Sequence, residues 1–231
     1  MVTLTSTSKL QAVLARIDRA ARQCGRNPAG ISLLAISKTW SAGDVRALAA
    51  AGQRAFGESY LQESLDKMAA LRDLTLEWHF IGSVQSNKTR QIAAHFDWLH
   101  SLDRLPVAER LAEQRSSSQP PLSVCLQVNL SGEASKGGVS PSDVPPLAQA
   151  VAALPGLRLR GLMTIPAPSS DFETQRQPFR RMHELWLQLQ ADGLAVDTLS
   201  MGMSQDLEAA IAEGATLVRV GTAIFGERYS K

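Results

Sequence analysis

Ile31-Ser-Leu-Leu-Ala-Ile-Ser-Lys38 is the stretch from which the fold is read. Seven uncharged, mostly aliphatic residues run up to an amine. With so little polar alternation, such a run reads as a strand covered on both faces, the kind that fills a parallel sheet. A lysine at its C-terminal end has two readings. Its stem can pack while the ammonium reaches water. Alternatively, desolvation lowers the pKa, and the neutral amine becomes a nucleophile toward aldehydes. The rest of the chain has to decide between them.

Of the 231 residues, 44% are hydrophobic and 20% charged, as in an ordinary soluble globular protein. A chain of this length buries a core without needing a disulfide or a metal. A net charge of +2, with the basic residues scattered, gives no footprint for nucleic acid or for a membrane surface. Cys24 and Cys125 are far apart and form no CxxC or metal-ligand spacing, which points to a reduced protein. Residues 1–10 are polar and lack the apolar run of a secretory signal, and no later segment is long enough to span a bilayer. The expected compartment is the cytoplasm.

Working outward from the first strand, strand and helix alternate. Residues 6–24 form an amphipathic helix with Leu10, Val13, Leu14 and Ile17 on its apolar face. Asn27-Pro-Ala-Gly30 breaks it. A helix opens at Ser41, carries Val45, Leu48 and Ala49 inward, and ends at Gly52. Further strands are expected at 54–58, 76–81, 98–102, 122–128, 157–165, 198–201 and 217–224, with helices at 60–71, 87–96, 106–115, 141–154, 171–190 and 205–213. Eight such units with short connections argue for α/β architecture with a parallel sheet, closed as a (β/α)8 TIM barrel in one domain over residues 1–231. The N-terminal helix is an extra element that covers the gap after the last strand. A doubly wound open sheet would carry a glycine-rich fingerprint after its first strand. Here Ser37-Lys-Thr39 follows, with no glycine before Gly43.

In a barrel, chemistry collects at the C-terminal strand ends. These offer Lys38, then Glu58 and Ser59, Gly82 and Gln85, Asn129, Thr164, Ser200-Met-Gly-Met-Ser204, and Arg219-Val-Gly-Thr222. The loops after strands seven and eight often bind phosphate. Ser200 and Ser204 supply hydroxyls, and Gly202 and Gly221 admit close backbone approach. The N–H groups at 203–205 and Thr222 add donors to an anion site. The same glycines also fit plain turns. Arg219, inside an apolar strand, needs an acceptor, either a buried carboxylate such as Glu58 or a ligand ring nitrogen or carboxylate. A lysine nucleophile, a phosphate cradle and an interior arginine together point to pyridoxal 5'-phosphate (PLP), its aldehyde held as a covalent Schiff base (aldimine) on Lys38.

Ser37-Lys-Thr39, Phe56-Gly-Glu-Ser-Tyr60, His79-Phe-Ile-Gly82 with Gln85-Ser-Asn-Lys88, Leu162-Met163 with Ile165-Pro166, Ser200-Met-Gly-Met-Ser204, and Arg219-Val-Gly-Thr222 with Ile224-Phe-Gly226 occur in that order. In these motifs the chain closely resembles the pyridoxal phosphate homeostasis proteins, over residues 31–226. The resemblance implies a barrel like the N-terminal domain of alanine racemase (fold type III), with PLP on Lys38. It also implies phosphate contacts from Ser200, Gly221 and Thr222, and an arginine, Arg219, at the pyridine nitrogen. Met201, Gly202 and Ser204 belong to the same phosphate loop. Ser59 stands where the family usually has asparagine, and Trp40 and Ser41 replace a lysine and a proline.

A racemase of this fold needs a second base, in alanine racemase a tyrosine from an added β domain. This chain ends soon after strand eight, and its only tyrosines are Tyr60 and Tyr229. The expectation is therefore a monomeric PLP carrier or buffer without catalytic residues, passing its cargo to PLP-dependent apo-enzymes. Lys136, in the loop after strand five, reads as an ordinary solvated lysine, with a second amine for transfer as the alternative. A weak amino-acid racemase is the alternative; a Schiff-base aldolase and a partner-binding barrel are two further readings.

Overall fold

The computed structural model describes residues 5–131 and 137–227. Eight parallel strands close into a ring in chain order: β1 (Ser32–Ile36), β2 (Ala55–Glu58), β3 (Glu77–Phe80), β4 (Trp98–Leu102), β5 (Leu122–Gln127), β6 (Leu157–Met163), β7 (Thr198–Ser200) and β8 (Leu217–Val220). β8 pairs with β1 from Ser32↔Leu217 to Ala35↔Val220, which shuts the barrel. β7 has only three residues and meets β8 at one registered pair, Ser200↔Leu217. The helices are α1 (Ser6–Gln23), α2 (Ala42–Ala50), α3 (Leu61–Ala70), α4 (Thr89–His95), α5 (Leu105–Gln114), α6 (Val144–Ala152), α7 (Phe172–Ala191), α8 (Leu207–Ala212) and α9 (Thr222–Phe225).

Two apolar layers follow from the two faces of each strand. The outward layer joins strand residues such as Leu33, Phe56, Leu99 and Leu126 to the helices, with Val45, Leu48 and Leu111 buried from the other side. Inside the barrel, Leu34, Ile36 and Leu217 pack on one side, and Trp98, Cys125 and Met163 on the other. Gly57 is needed for that filling: a Cβ there would stand 2.6 Å from Ile36 Cδ1.

α1 packs against α2, α8 and α9, so it occupies the place beside the last strand that the sequence assigns to it. Leu10, Val13 and Ile17 are buried, but Leu14 falls off the apolar face and is exposed. Arg16 chelates Glu208 of α8 at 2.9 Å and donates to the Ser204 carbonyl at 3.1 Å. Ser41 caps α2 through a reciprocal box with Asp44.

Several boundaries differ from expectation. β1 stops at Ile36, so Lys38 lies in a turn rather than in the strand. β8 ends at Val220 instead of running to 224. Gly221 breaks it, and its carbonyl accepts from Ile224 and Phe225 N–H to start α9. α8 begins at Leu207, not 205. Short 3-10 turns at Ser86–Lys88 and Pro141–Asp143 precede α4 and α6.

Candidate functional site

The Lys38 turn is fixed from below by charges the sequence does not advertise. Lys67 of α3 is buried, and its Nζ donates to the Ser37 carbonyl at 2.6 Å, to Glu58 Oε1 at 2.8 Å and to Glu63 Oε1 at 2.6 Å. Ser37 Oγ donates to the same Glu58 oxygen at 2.6 Å. Thr39 N–H donates to Glu63 at 2.6 Å. Thr39 takes φ +71°, the one positive φ outside glycine among the described residues, a costly conformation for a β-branched side chain. Strain and an ion network thus converge on the residues either side of Lys38. Burial pushes the Glu58 carboxyl up, against the opposing pull of Lys67 and Ser37. Glu58 Oε2 is buried without a hydrogen-bond partner among the described residues.

The same turn abuts α9. Trp40 stacks on Phe225 with ring centroids 5.3 Å apart, so this residue serves as a brace. A Cβ on Gly221 would lie 3.3 Å from Ile36 Cβ, so strands and loops approach closely there. Ser204 Oγ accepts from Ala223 N–H at 3.3 Å. Residues 36–40, 204 and 221–225 therefore form one contiguous rim, in which Lys38, Ser204 and Gly221 are partly exposed and Thr222 exposed. Ser59 joins the rim from β2, partly exposed. Its backbone lies against Gly82, where a Cβ would come within 2.4 Å of the Ser59 carbonyl oxygen.

Three expected loop contacts lie elsewhere. Ser200 is fully buried, and its hydroxyl faces the barrel interior, bonded to His100 Nδ1 and Arg219 Nη1 at 2.8 Å each. The inward register of β7 takes it away from the rim. Met201 is fully buried in the core. Gly202 has φ +92°, and a Cβ there would meet Ala210 Cβ at 2.6 Å. Packing against α8 therefore explains that glycine. Met203 N–H is taken by the Asp206 carboxylate, which leaves fewer open donors at 203–205 than the sequence implies.

Arg219 is buried and does not pair with Glu58, whose cation is Lys67. Its Nη1 donates to the Ser200 carbonyl at 2.5 Å and hydroxyl at 2.8 Å, and its Nη2 to the Thr164 carbonyl at 2.8 Å. Burial draws it down to about 10, so it remains a cation at neutral pH. Its Nε–H and second Nη2–H have no partner among the described residues, leaving two donors for an acceptor above β8.

The alternation of His79 with apolar residues suggests only packing. His79 is buried and stacks on Trp98, but it also bonds Glu77 and His100 at 2.7 and 2.8 Å. Glu77, His79 and His100 alternate inward on adjacent strands, and that period-2 pattern of polar residues was the signal available. Tyr60 sits at the start of α3 and is exposed. Lys136 and Tyr229 lie outside the described residues.

The chain matches the family model of the alanine racemase N-terminal domain over residues 8–229. The pyridoxal phosphate homeostasis protein of Pseudomonas aeruginosa is 60% identical over 224 residues, covering 97% of this chain and 96% of the relative. That of Escherichia coli K12 is 52% identical over 220 residues, 94% of each. PipY of Synechococcus elongatus, solved with PLP bound, has TM-score 0.80 and 38% identity, covering 91% of this chain and 99% of PipY. Alanine racemase of Corynebacterium glutamicum shares the fold, with TM-score 0.66 at 20% identity over 92% of this chain and 60% of that one. By a match that spans nearly its whole length, at half or more of the residues identical, this chain belongs to the pyridoxal phosphate homeostasis proteins of the alanine racemase N-terminal-domain family.

Proposed function

We propose that this chain holds PLP on Lys38 and serves intracellular PLP homeostasis as a carrier or buffer. The observation that carries the reading is the contiguous rim: the strained, ion-locked Lys38 turn lies against α9 and, through it, Ser204. The donor set fits the group. Lys38 would supply the primary amine that holds the aldehyde of PLP. The Ser204 and Thr222 hydroxyls, with the backbone at Gly221, suit a phosphate. An open N–H of Arg219 suits a ring nitrogen that stays unprotonated, since an arginine offers donors only. Ser200 supports Arg219 rather than the phosphate, and Ser59 lines the β2 side.

When bound, PLP supplies an electrophilic carbon and an electron-withdrawing ring. An arginine at the ring nitrogen keeps that ring a weak electron sink, which favours holding over turnover. Relatives named as homeostasis proteins and a PipY structure with PLP support the same reading. The chain acts as one barrel domain, a cytoplasmic monomer, and PLP-dependent apo-enzymes are its recipients. Purified protein is expected to absorb in the visible, and borohydride to fix the label on Lys38. Lys38→Ala removes both signals. A colourless protein after incubation with PLP, or a label on another lysine, refutes the assignment. Steady racemisation of an amino acid that Lys38→Ala abolishes would mark an enzyme instead.

A further inference from the structure

The barrel interior carries an unbroken polar path. Glu77 Oε1 lies 2.7 Å from His79 Nε2, His79 Nδ1 2.8 Å from His100 Nε2, His100 Nδ1 2.8 Å from Ser200 Oγ, and Ser200 Oγ 2.8 Å from Arg219 Nη1. The path starts at the N-terminal ends of the strands, where Glu77, Trp98, Arg160 and Asp197 border a cavity of about 320 Å³. It ends at the arginine beneath the Lys38 rim. His79, His100 and Ser200 are buried, beside interior apolar clusters of Leu34, Ile36 and Leu217 and of Trp98, Cys125 and Met163. Buried polar groups at this density are stabilising only when every one of them is satisfied.

The bond directions follow from counting hydrogens. Arg219 only donates, so Ser200 Oγ accepts from it. Glu77 is a carboxylate held below its usual range by His79, so it accepts from His79 Nε2–H. Burial disfavours the charged form of both imidazoles, and each neutral ring has one donor and one acceptor. His79 Nδ1 therefore accepts, His100 Nε2–H donates to it, His100 Nδ1 accepts, and the Ser200 hydroxyl donates to His100. Every link is used once and every dipole points from the arginine to the carboxylate. Reversing any one of them leaves two donors or two acceptors face to face.

We propose that Glu77, His79, His100 and Ser200 form a one-way hydrogen-bond relay that fixes the guanidinium of Arg219, so that one of its open N–H groups is aimed at the bound cofactor's ring nitrogen. These are positioning residues. The proposal rests on the PLP reading above and adds to it the groups that set the arginine's orientation. It also accounts for two histidines and a buried serine hydroxyl that binding of phosphate leaves without a role.

The test begins without cofactor. In the ¹⁵N-histidine-labelled chain, NMR is expected to show both His79 and His100 as neutral Nε2–H tautomers. Glu77→Leu, at the half-exposed end of the path, is expected to give mixed tautomers at both rings. In the PLP-loaded chain, His100→Leu is expected to shift the absorption maximum of the bound cofactor. Its PLP release should rise about tenfold, the weight of one hydrogen bond to a charged group. His100→Gln, which keeps a donor and an acceptor, should restore part of both. Where His100→Leu fails to fold, Glu77→Leu supplies the same spectral comparison. An Nδ1–H tautomer or an imidazolium at either ring overturns the relay, as does an unchanged cofactor spectrum and release rate in both variants. A chain that shows the expected tautomers yet takes up no PLP overturns the carrier function, and with it the cofactor half of the proposal.

Discussion

Removing the Lys67 ammonium is the sharpest probe of how the Lys38 turn is held. In Lys67→Met the stem is roughly preserved, but the Ser37 carbonyl, Glu58 Oε1 and Glu63 Oε1 lose a donor together. The side chain of Glu58 is 0% exposed and that of Lys67 6%, so water cannot replace the cation. Breaking a buried pair from one side costs about 3–5 kcal/mol, most of it from the stranded charge. Urea denaturation at 25 °C and pH 8 should therefore show a loss in that range. The loss should depend on pH. Without Lys67 the folded carboxyl of Glu58 rises further above its unfolded value of 4.5. A group raised in this way binds its proton more tightly when folded, so its contribution is present at low pH and is lost as pH climbs. The deficit relative to wild type should thus be smaller at pH 5 than at pH 8. Adding Glu58→Gln to Lys67→Met removes the stranded charge and should recover part of the loss. A deficit below about 1 kcal/mol, the range of an exposed pair, or one flat from pH 5 to pH 8, would refute the reasoning.

Gly82→Ala should destabilise by about 1–3 kcal/mol, because its Cβ meets backbone of Ser59 rather than a movable side chain. Gly30→Ala, with nothing within 4 Å, is the control, and equal losses in urea melts would contradict the packing argument. Cys24 is exposed, whereas burial pushes the Cys125 thiol up to about 12. An aromatic disulfide reagent should therefore titrate one thiol in the native protein and a second only in denaturant; two fast thiols in the native state would count against the buried assignment. His79 and His100 are both held below 6.5 by burial. The unfolded chain then takes up protons that the folded one refuses, so stability should fall from pH 7 to pH 5, by up to about 1.4 kcal/mol per pH unit for each ring. His100→Gln should roughly halve that slope, and a flat profile in wild type would show that the rings ionise inside the barrel.

The barrel was legible because its signals are local and repeated. Apolar runs such as 31–36 and 122–126, each followed by a helix with a cap or a glycine stop, state the βα rhythm directly. The site was legible where a residue type is anomalous for its place, as with Lys38 and Arg219. What escaped depends on register and on distant partners. Ser200 sits in a motif that reads as a phosphate loop, yet the inward pleat of β7 gives its hydroxyl to His100, a residue 100 positions earlier. Lys67 looks like one more surface lysine of an amphipathic helix, and only the fold brings it over Glu58 and Ser37. Arg219 is expected to need an acceptor, a buried carboxylate or a ligand; two carbonyls and a hydroxyl take three of its bonds and leave two N–H groups over, which no spacing rule reveals.

The three-residue β7, joined to β8 by a single registered pair, has a mechanical consequence. A ring yields first at a short joint, and the backbone bonds that Thr216, Met201 and Arg219 make across this one are reinforced by the arginine's grip on Ser200. Amide hydrogens at 199–201 should exchange with solvent sooner than those of the long β5–β6 ladder. Loosening of that joint would also slacken the guanidinium, so barrel breathing and the letting-go of cargo would share one hinge.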